Sequence, residues 1–380
     1  MRPLVSYVNV SVMAMRKPDF TRQLLKWHKK ENTREMPWKG ERELYKIWLS
    51  EIILQQTRVE QGIPYYEAFI RKYPDILALA SAPEQEVFRL WQGLGYYSRC
   101  KNLIQTARQI RDHYQGSFPH TYEEILELPG VGPYTAAAIC SFGFNLPYAV
   151  LDGNVFRVLS RFFGIPLPID SHANKNYFSL LAQHLLDRKE PAVYNQAIMD
   201  FGALVCKPKQ PVCTDCCLKK KCVALREKQV ENWPVKSKKK QLINRYFHYL
   251  VLQSGGKVYL HKRIASDIWQ NLFEFPLIES STIQSFAQIR KNKTFQKILP
   301  FPFPWKLLEI SPLYKQQLTH QKIHARFFYL ELSCPLEEPQ QDLPIPLKDL
   351  GKYPFPKLII SFLQEKTLTL KKGENGVIVN

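Results

Sequence analysis

Leu128-Pro129-Gly130-Val131-Gly132-Pro133-Tyr134-Thr135-Ala136-Ala137-Ala138-Ile139 joins two helical segments through a very short turn. The segment from Tyr122 to Glu127 has helical periodicity that Pro129 ends. Gly130 and Gly132 permit positive φ in the turn, and Pro133 suits the first turn of the next helix. Backbone N–H groups of such a turn, with a helix N-terminus behind them, form a site for a phosphate. A plain connector between helices is the other reading of a lone G-x-G. The full L-P-G-V-G-x-x-T-A string is more specific and points to two helices packed as a hairpin.

Outward from this turn, the chain from about Asp19 to Cys206 is helical in texture. Apolar residues recur at three and four in Leu24-Leu25-Trp27, Tyr45-Ile47-Trp48-Leu49-Ile52-Ile53, Leu103-Ile104-Ala107-Ile110 and Tyr177-Leu180-Leu181-His184-Leu185. Two carboxylates stand out in this region. Glu51 lies among apolar neighbours in Trp48 to Thr57, where burial would raise its pKa and keep it protonated, as a general acid requires. Asp152 lies in Leu151-Asp152-Gly153-Asn154-Val155, just before a periodic helix. For Asp152 an N-cap is the simpler role, and for Glu51 an ordinary exposed helix position.

Five of the eight cysteines fall between Cys206 and Cys222, with the spacing Cys206-x6-Cys213-x2-Cys216-x5-Cys222. Four thiols in 17 residues suffice to surround one metal centre. Structural zinc sites usually show two tight pairs well apart, whereas only one C-x2-C occurs here, so a [4Fe–4S] cluster is favoured over zinc. Cys217 is expected to be a spare, and Cys100, Cys140 and Cys334 to be small apolar fillers. The 53 Lys+Arg against 34 Asp+Glu give a net charge of +19, which attracts a polyanion without proving one. No apolar run approaches the roughly 20 residues that span a bilayer. Residues 1–18 read as an extension, disordered or preceding a true start at Met15.

After the cysteines, Val235-Lys236-Ser237-Lys238-Lys239-Lys240 reads as an exposed basic linker. Beyond it Tyr246 to Leu252 and Lys257 to His261 flank Ser254-Gly255-Gly256 as a β-hairpin, and Arg326 to Leu332 reads as a further strand. A mainly α region therefore precedes an α+β domain.

Together the strings at 48–57, Gly93-Leu94-Gly95-Tyr96-Tyr97-Ser98-Arg99, 128–136, 151–155 and the cysteine spacing resemble the MutY family of adenine DNA glycosylases, within the endonuclease III-like helix-hairpin-helix superfamily. The likeness runs from about Asp19 to Cys222 and is weaker beyond. It implies a helical glycosylase region over 19–225, with the helix-hairpin-helix at 122–142 and the iron–sulfur loop at 206–222. It further implies a linker over 226–241 and a Nudix-like recognition domain over 242–380. The implied activity is hydrolysis of the glycosidic bond of adenine mispaired with 8-oxoguanine or guanine in double-stranded DNA, by a monomer in the cytoplasm, at the nucleoid.

The same resemblance assigns roles to residues. Glu51 would protonate adenine N7, Asp152 would stabilise the sugar cation, and Tyr134 and Asn154 would orient the pair. Arg34, Met36, Trp38 and Gln196 would line the adenine pocket. Gln56, Thr57, Leu94 and Tyr96 would enter or flank the gap in the duplex, and Gly130, Val131 and Gly132 would meet a phosphate. Tyr134 stands where lyase relatives carry a lysine, implying a monofunctional enzyme. Glu274 is present without the surrounding acidic helix of a Nudix hydrolase, and Leu318-Thr319-His320 replaces the family's Phe-Ser-His, with Thr319 and His320 left to read 8-oxoguanine. Two alternatives stay open: a glycosylase/lyase on oxidised pyrimidines, and a non-catalytic iron–sulfur DNA-binding protein.

Overall fold

The structure, a computed structural model, describes residues 17–237, 242–336 and 342–370. The expected extension lies almost wholly outside the described residues, as does the lysine run at 238–240. The chain divides into two compact units, one of Met1–Ser81 with Asn102–Lys238, the other of Ala82–Lys101 with Lys239–Asn380.

In chain order the first helices are α1 (Lys17–Glu31), α2 (Leu44–Leu54), α3 (Val59–Lys72), α4 (Ile76–Ser81), α5 (Glu84–Leu90) and α6 (Tyr97–Tyr114). They are followed by α7 (Tyr122–Leu126), α8 (Pro133–Phe144), α9 (Gly153–Phe163), α10 (His172–Leu185), α11 (Pro191–Leu204) and α12 (Val223–Arg226). Local chemistry sets their ends. Thr121 caps α7, Pro133 opens α8, and α9 stops at Gly164, whose φ of 69° is left-handed. The core of the first unit forms where α1, α9 and α11 meet. Phe20, Leu24 and Trp27 of α1 bury against Val155, Val158 and Leu159 of α9 and Tyr194, Ala197, Ile198 and Phe201 of α11. The Trp27 and Phe201 rings meet edge to face at 5.1 Å. One apolar residue departs from the pattern: Leu180 in α10 is 69% exposed.

The second unit holds a mixed sheet in the order β3-β2-β1-β7-β5. Its strands are β1 (Ile243–Ser254), β2 (Lys257–Lys262), β3 (Phe273–Glu274), β4 (Leu277–Ser280), β5 (Trp305–Ile310), β6 (Tyr314–Gln317), β7 (Gln321–Leu332) and β8 (Asp342–Pro346). Short helices α13 (Phe286–Ile289) and α14 (Lys293–Ile298) and the last helix, α15 (Lys357–Leu370), complete it. The predicted hairpin is β1–β2, antiparallel, with Gln253 opposite Val258. β1 and β7 run side by side in parallel, Tyr249 opposite Phe327. Strands covered on both faces become continuously apolar, and Phe247 to Leu252 are all buried. Leu250, Leu252, Phe328 and Leu330 pack with Ile289 and Phe295 on one face. On the other, Phe327 stacks on Phe362 of α15 at 3.9 Å.

Residues 82–101 belong to this unit through polar contacts as well. Phe355 N–H donates to Gln92 Oε1 at 3.1 Å, and Gln85 Nε2 donates to the Lys352 carbonyl at 3.0 Å. Sequence texture carries no sign of this, because 82–101 reads as more of the same helical pattern.

Candidate active site

Helix α2 is apolar around most of its circumference, with Ile47, Trp48, Leu49, Ile52 and Ile53 all buried. Glu51 is carried into that environment and is only 8% exposed. Burial pushes its carboxyl up to about 7, the negative charge of Asp152 adds to the rise, and a hydrogen bond from Tyr134 works against it. Tyr134 comes from the first turn of α8, and its hydroxyl also lies 3.6 Å from Met199 Sδ. Burial and the two carboxylates hold its phenol well above the ordinary range, so it remains a neutral donor.

Asp152 caps α9 and lines the same cavity as Glu51. Its Oδ1 accepts from the N–H groups of Asn154 at 2.9 Å and Val155 at 2.8 Å, and Oδ2 accepts from Asn154 Nδ2 at 2.7 Å. Burial raises its pKa against the pull of those bonds and of Arg157. The simple N-cap role is thus real, and it leaves the carboxylate beside the cavity. Arg157, which sequence reading did not single out, donates to Asn154 Oδ1 at 2.7 Å and to the Cys206 carbonyl at 2.7 Å.

The cavity, of about 940 Å³, is lined by ten of the predicted residues: Arg34, Met36, Trp38, Glu51, Gln56, Thr57, Tyr134, Asp152, Asn154 and Gln196. They come from α2, the starts of α8 and α9, α11 and the loops after α1 and α2, so no contiguous motif marks the set. Trp38 is seated edge-on against Tyr66 at 5.2 Å. Below Arg34 and Gln196 sits Asp200, fully buried, another residue the sequence did not flag.

Other predicted residues lie outside the cavity. Tyr96 has a left-handed backbone, φ 49°, as does Gln56 of the cavity lining, φ 56°, unusual for residues with a Cβ. Leu94 and Val131 are 5% and 7% exposed, so neither side chain is on the surface. The Val131 N–H is used internally, donating to the Leu128 carbonyl at 3.0 Å. Of the two turn glycines only Gly130 is left-handed, with φ 75°. Gly132 is extended at φ −97°, ψ 177° at the N-cap of α8, and a Cβ there would meet nothing within 4 Å. In the second unit, Leu318-Thr319-His320 is the turn between β6 and β7, with Thr319 and His320 exposed. The Thr319 hydroxyl lies 2.7 Å from the hydroxyl of Tyr96. Glu274 is engaged, accepting from Arg263 at 2.8 Å and from the Tyr249 hydroxyl at 3.1 Å.

The four cysteines of the predicted set sit on one loop, and all are free thiols. Cys216, Cys213 and Cys222 are raised chiefly by burial, Cys216 to about 12, and each is raised further by other thiols of the group. Among the described residues no three histidine, cysteine or acidic groups are placed to hold a single metal ion. Buried Arg161 laces the loop together, donating to the Lys207 carbonyl at 2.7 Å and to Cys206 Sγ at 3.5 Å.

This arrangement can be set beside known proteins. Residues 49–178 match the sequence profile of the HhH-GPD superfamily base excision DNA repair proteins, and residues 248–365 match that of the NUDIX domain. A solved structure described as a thermostable thymine-DNA glycosylase superposes with a TM-score of 0.51 at 29% identity, covering 56% of this chain and 97% of its own. The class is therefore a DNA glycosylase of the helix-hairpin-helix superfamily, a hydrolase, joined to a Nudix-like domain. The adenine DNA glycosylase of Buchnera aphidicola subsp. Schizaphis graminum is 35% identical over 274 residues, 72% of this chain and 79% of the relative. That of Mus musculus is 41% identical over 371 residues, 84% of this chain and 71% of the relative. The chain belongs to the adenine DNA glycosylase family.

Proposed function

We propose that this protein excises adenine mispaired with 8-oxoguanine or guanine in double-stranded DNA. The observation that carries the reading is Glu51: a buried carboxyl raised to about 7, facing the same cavity as Asp152. Adenine leaves well only when protonated, and the sugar left behind has oxocarbenium character. Two carboxyls in different states answer those needs, as in other glycoside hydrolyses. Glu51 is the acid toward N7 of the flipped base and then helps to activate water. Asp152, held by three hydrogen bonds, faces the developing cation. Tyr134 and Asn154 orient the two, and Arg34, Met36, Trp38 and Gln196 enclose the base. With Tyr134 where a lyase would need an amine, the enzyme is monofunctional. No helix among the described residues is long and apolar enough to cross a membrane, and we assign its work to a monomer at the nucleoid, in the cytoplasm.

The left-handed Gln56 and Tyr96, each on its own unit, are strained projections suited to enter a gap left by the flipped base, with Thr57 next to the first and the Leu94 backbone next to the second. The turn of Gly130, Val131 and Gly132 is the phosphate contact of this reading: nothing lies within 4 Å of where a Gly132 side chain would be, while the Val131 N–H stays committed to the Leu128 carbonyl. Thr319, held by Tyr96, and His320 read 8-oxoguanine. Cys206, Cys213, Cys216 and Cys222 would hold a [4Fe–4S] cluster. Four thiols on one loop with the spacing Cys206-x6-Cys213-x2-Cys216-x5-Cys222 are what supports that reading. Bound there, it supplies a four-thiolate cross-link for the loop, and no step of the hydrolysis runs through it.

The test is single-turnover excision on duplexes containing A:8-oxoguanine, A:G and thymine glycol. Release of adenine from the first two is expected. Release of thymine glycol with strand cleavage would favour the lyase reading, and binding without release of any base would favour a non-catalytic protein.

A further inference from the structure

Asp200 is a buried carboxylate beneath the cavity, and four polar side chains converge on it. Its Oδ1 accepts from Arg34 at 2.9 Å and from Gln196 Nε2 at 2.9 Å, and its Oδ2 accepts from Asn32 Nδ2 at 2.8 Å, with Lys39 Nζ at 3.7 Å. A carboxylate paired with an arginine and a lysine offers only acceptors. Gln196 can therefore approach it only with its NH2 group. With Nε2 of Gln196 committed to Asp200, Oε1 is the end of the amide left for a ligand in the cavity that Gln196 lines. Arg34 is fixed in the same way, with one nitrogen committed to Asp200.

We propose that Asp200 is the positioning residue that sets the base preference of the cavity. By holding the Gln196 amide in one of its two orientations, it presents an acceptor that matches an exocyclic amino group and opposes an exocyclic carbonyl. The inference rests on the adenine pocket assigned above and adds the reason that pocket distinguishes a 6-amino purine from a 6-oxo purine. A reversed amide would face a carbonyl with a donor and lose the distinction. Nothing local to Gln196 prevents that reversal, since the two ends of the amide are nearly the same size.

The experiment compares single-turnover excision of adenine and of hypoxanthine, each placed opposite 8-oxoguanine, for wild type, Asp200→Asn and Gln196→Leu. An asparagine at 200 can donate to Gln196 Oε1 and so turn the amide over. The adenine-to-hypoxanthine rate ratio should fall on the order of tenfold or more in Asp200→Asn, a change that simple loosening of the pocket would not produce. Gln196→Leu keeps the Asp200–Arg34 pair and should lower the same ratio, which leaves the idea testable if Asp200→Asn does not fold. In the double variant the Asp200→Asn effect on the ratio should vanish. Equal loss on both bases in Asp200→Asn, or a wild-type ratio in Gln196→Leu, would overturn the inference. Wild-type protein that releases no adenine would instead overturn the proposed function, and this inference with it.

Discussion

Glu51 shows how much a single side chain owes to its neighbours. An isolated glutamate is ionised at neutral pH, and burial beside Ile47, Trp48, Ile52 and Ile53 of α2, helped by the charge of Asp152, raises this one to about 7. If Glu51 is the acid, excision should fall as pH rises through about 7, approaching about tenfold per pH unit above it. It should fall again on the acid side, where Asp152, itself raised by burial, takes up its proton. A single-turnover pH profile measures this, and a rate that instead rises across neutrality would assign the acid elsewhere. Glu51→Gln keeps the shape and loses the proton. It should bind mismatch DNA normally and excise ~10²–10⁴-fold more slowly, and a variant within about threefold of wild type would remove Glu51 from the chemistry. The hydrophobic run around Glu51 was visible in the sequence. Asp200 was not, because an aspartate in Met199-Asp200-Phe201 is singled out only when Asn32 and Arg34 are brought to it from the loop after α1.

The α7–α8 hairpin and the cysteine loop are elements whose variants separate folding from binding. A Cβ at Gly130 would demand a left-handed alanine and come within 2.8 Å of Asn102. Gly130→Ala should therefore destabilise the protein by about 1–2 kcal/mol or more, seen as a lower midpoint of thermal unfolding. Gly132→Ala meets nothing and is extended, so its unfolding midpoint should stay put while duplex affinity drops. Equal affinity in wild type and Gly132→Ala would move the phosphate site away from the turn. In the cysteine loop, protein purified without oxygen should be yellow-brown and contain iron. Cys213→Ser should lose that colour, whereas Cys217→Ser should keep it, and zinc without iron in the wild type would reverse the cluster assignment. Both elements were legible because their spacing is local: G-V-G-P demands a turn, and four cysteines in one loop cannot be far apart. The difference in φ between the two glycines was not legible, since either glycine could have taken the left-handed place.

Substrate choice is a property of the whole chain. If the β6–β7 turn reads the base opposite adenine, Thr319→Ala with His320→Ala should slow excision from A:8-oxoguanine more than from A:G, by several-fold to about a hundredfold for two contacts of ~1 kcal/mol or more each. Paired single-turnover measurements decide it, and an equal effect on both duplexes in folded protein would place recognition elsewhere. The turn was identified in sequence only by likeness, with the ring of the family's Phe lost at Leu318. The structure adds a partner, the Tyr96 hydroxyl at 2.7 Å.

The class, the order of helical and β regions and the local motifs were already present in the linear chain, because helix periodicity, turn glycines and clustered thiols are short-range features that the backbone must obey wherever it lies. The long-range assignments depended on folding. Residues 82–101 joining the β-unit, the N-cap Asp152 facing a cavity shared with Glu51, and Asn32 and Arg34 reaching buried Asp200 all join segments distant in sequence. Their energies come from desolvation and hydrogen bonding across such distances, which no local pattern of residue types encodes.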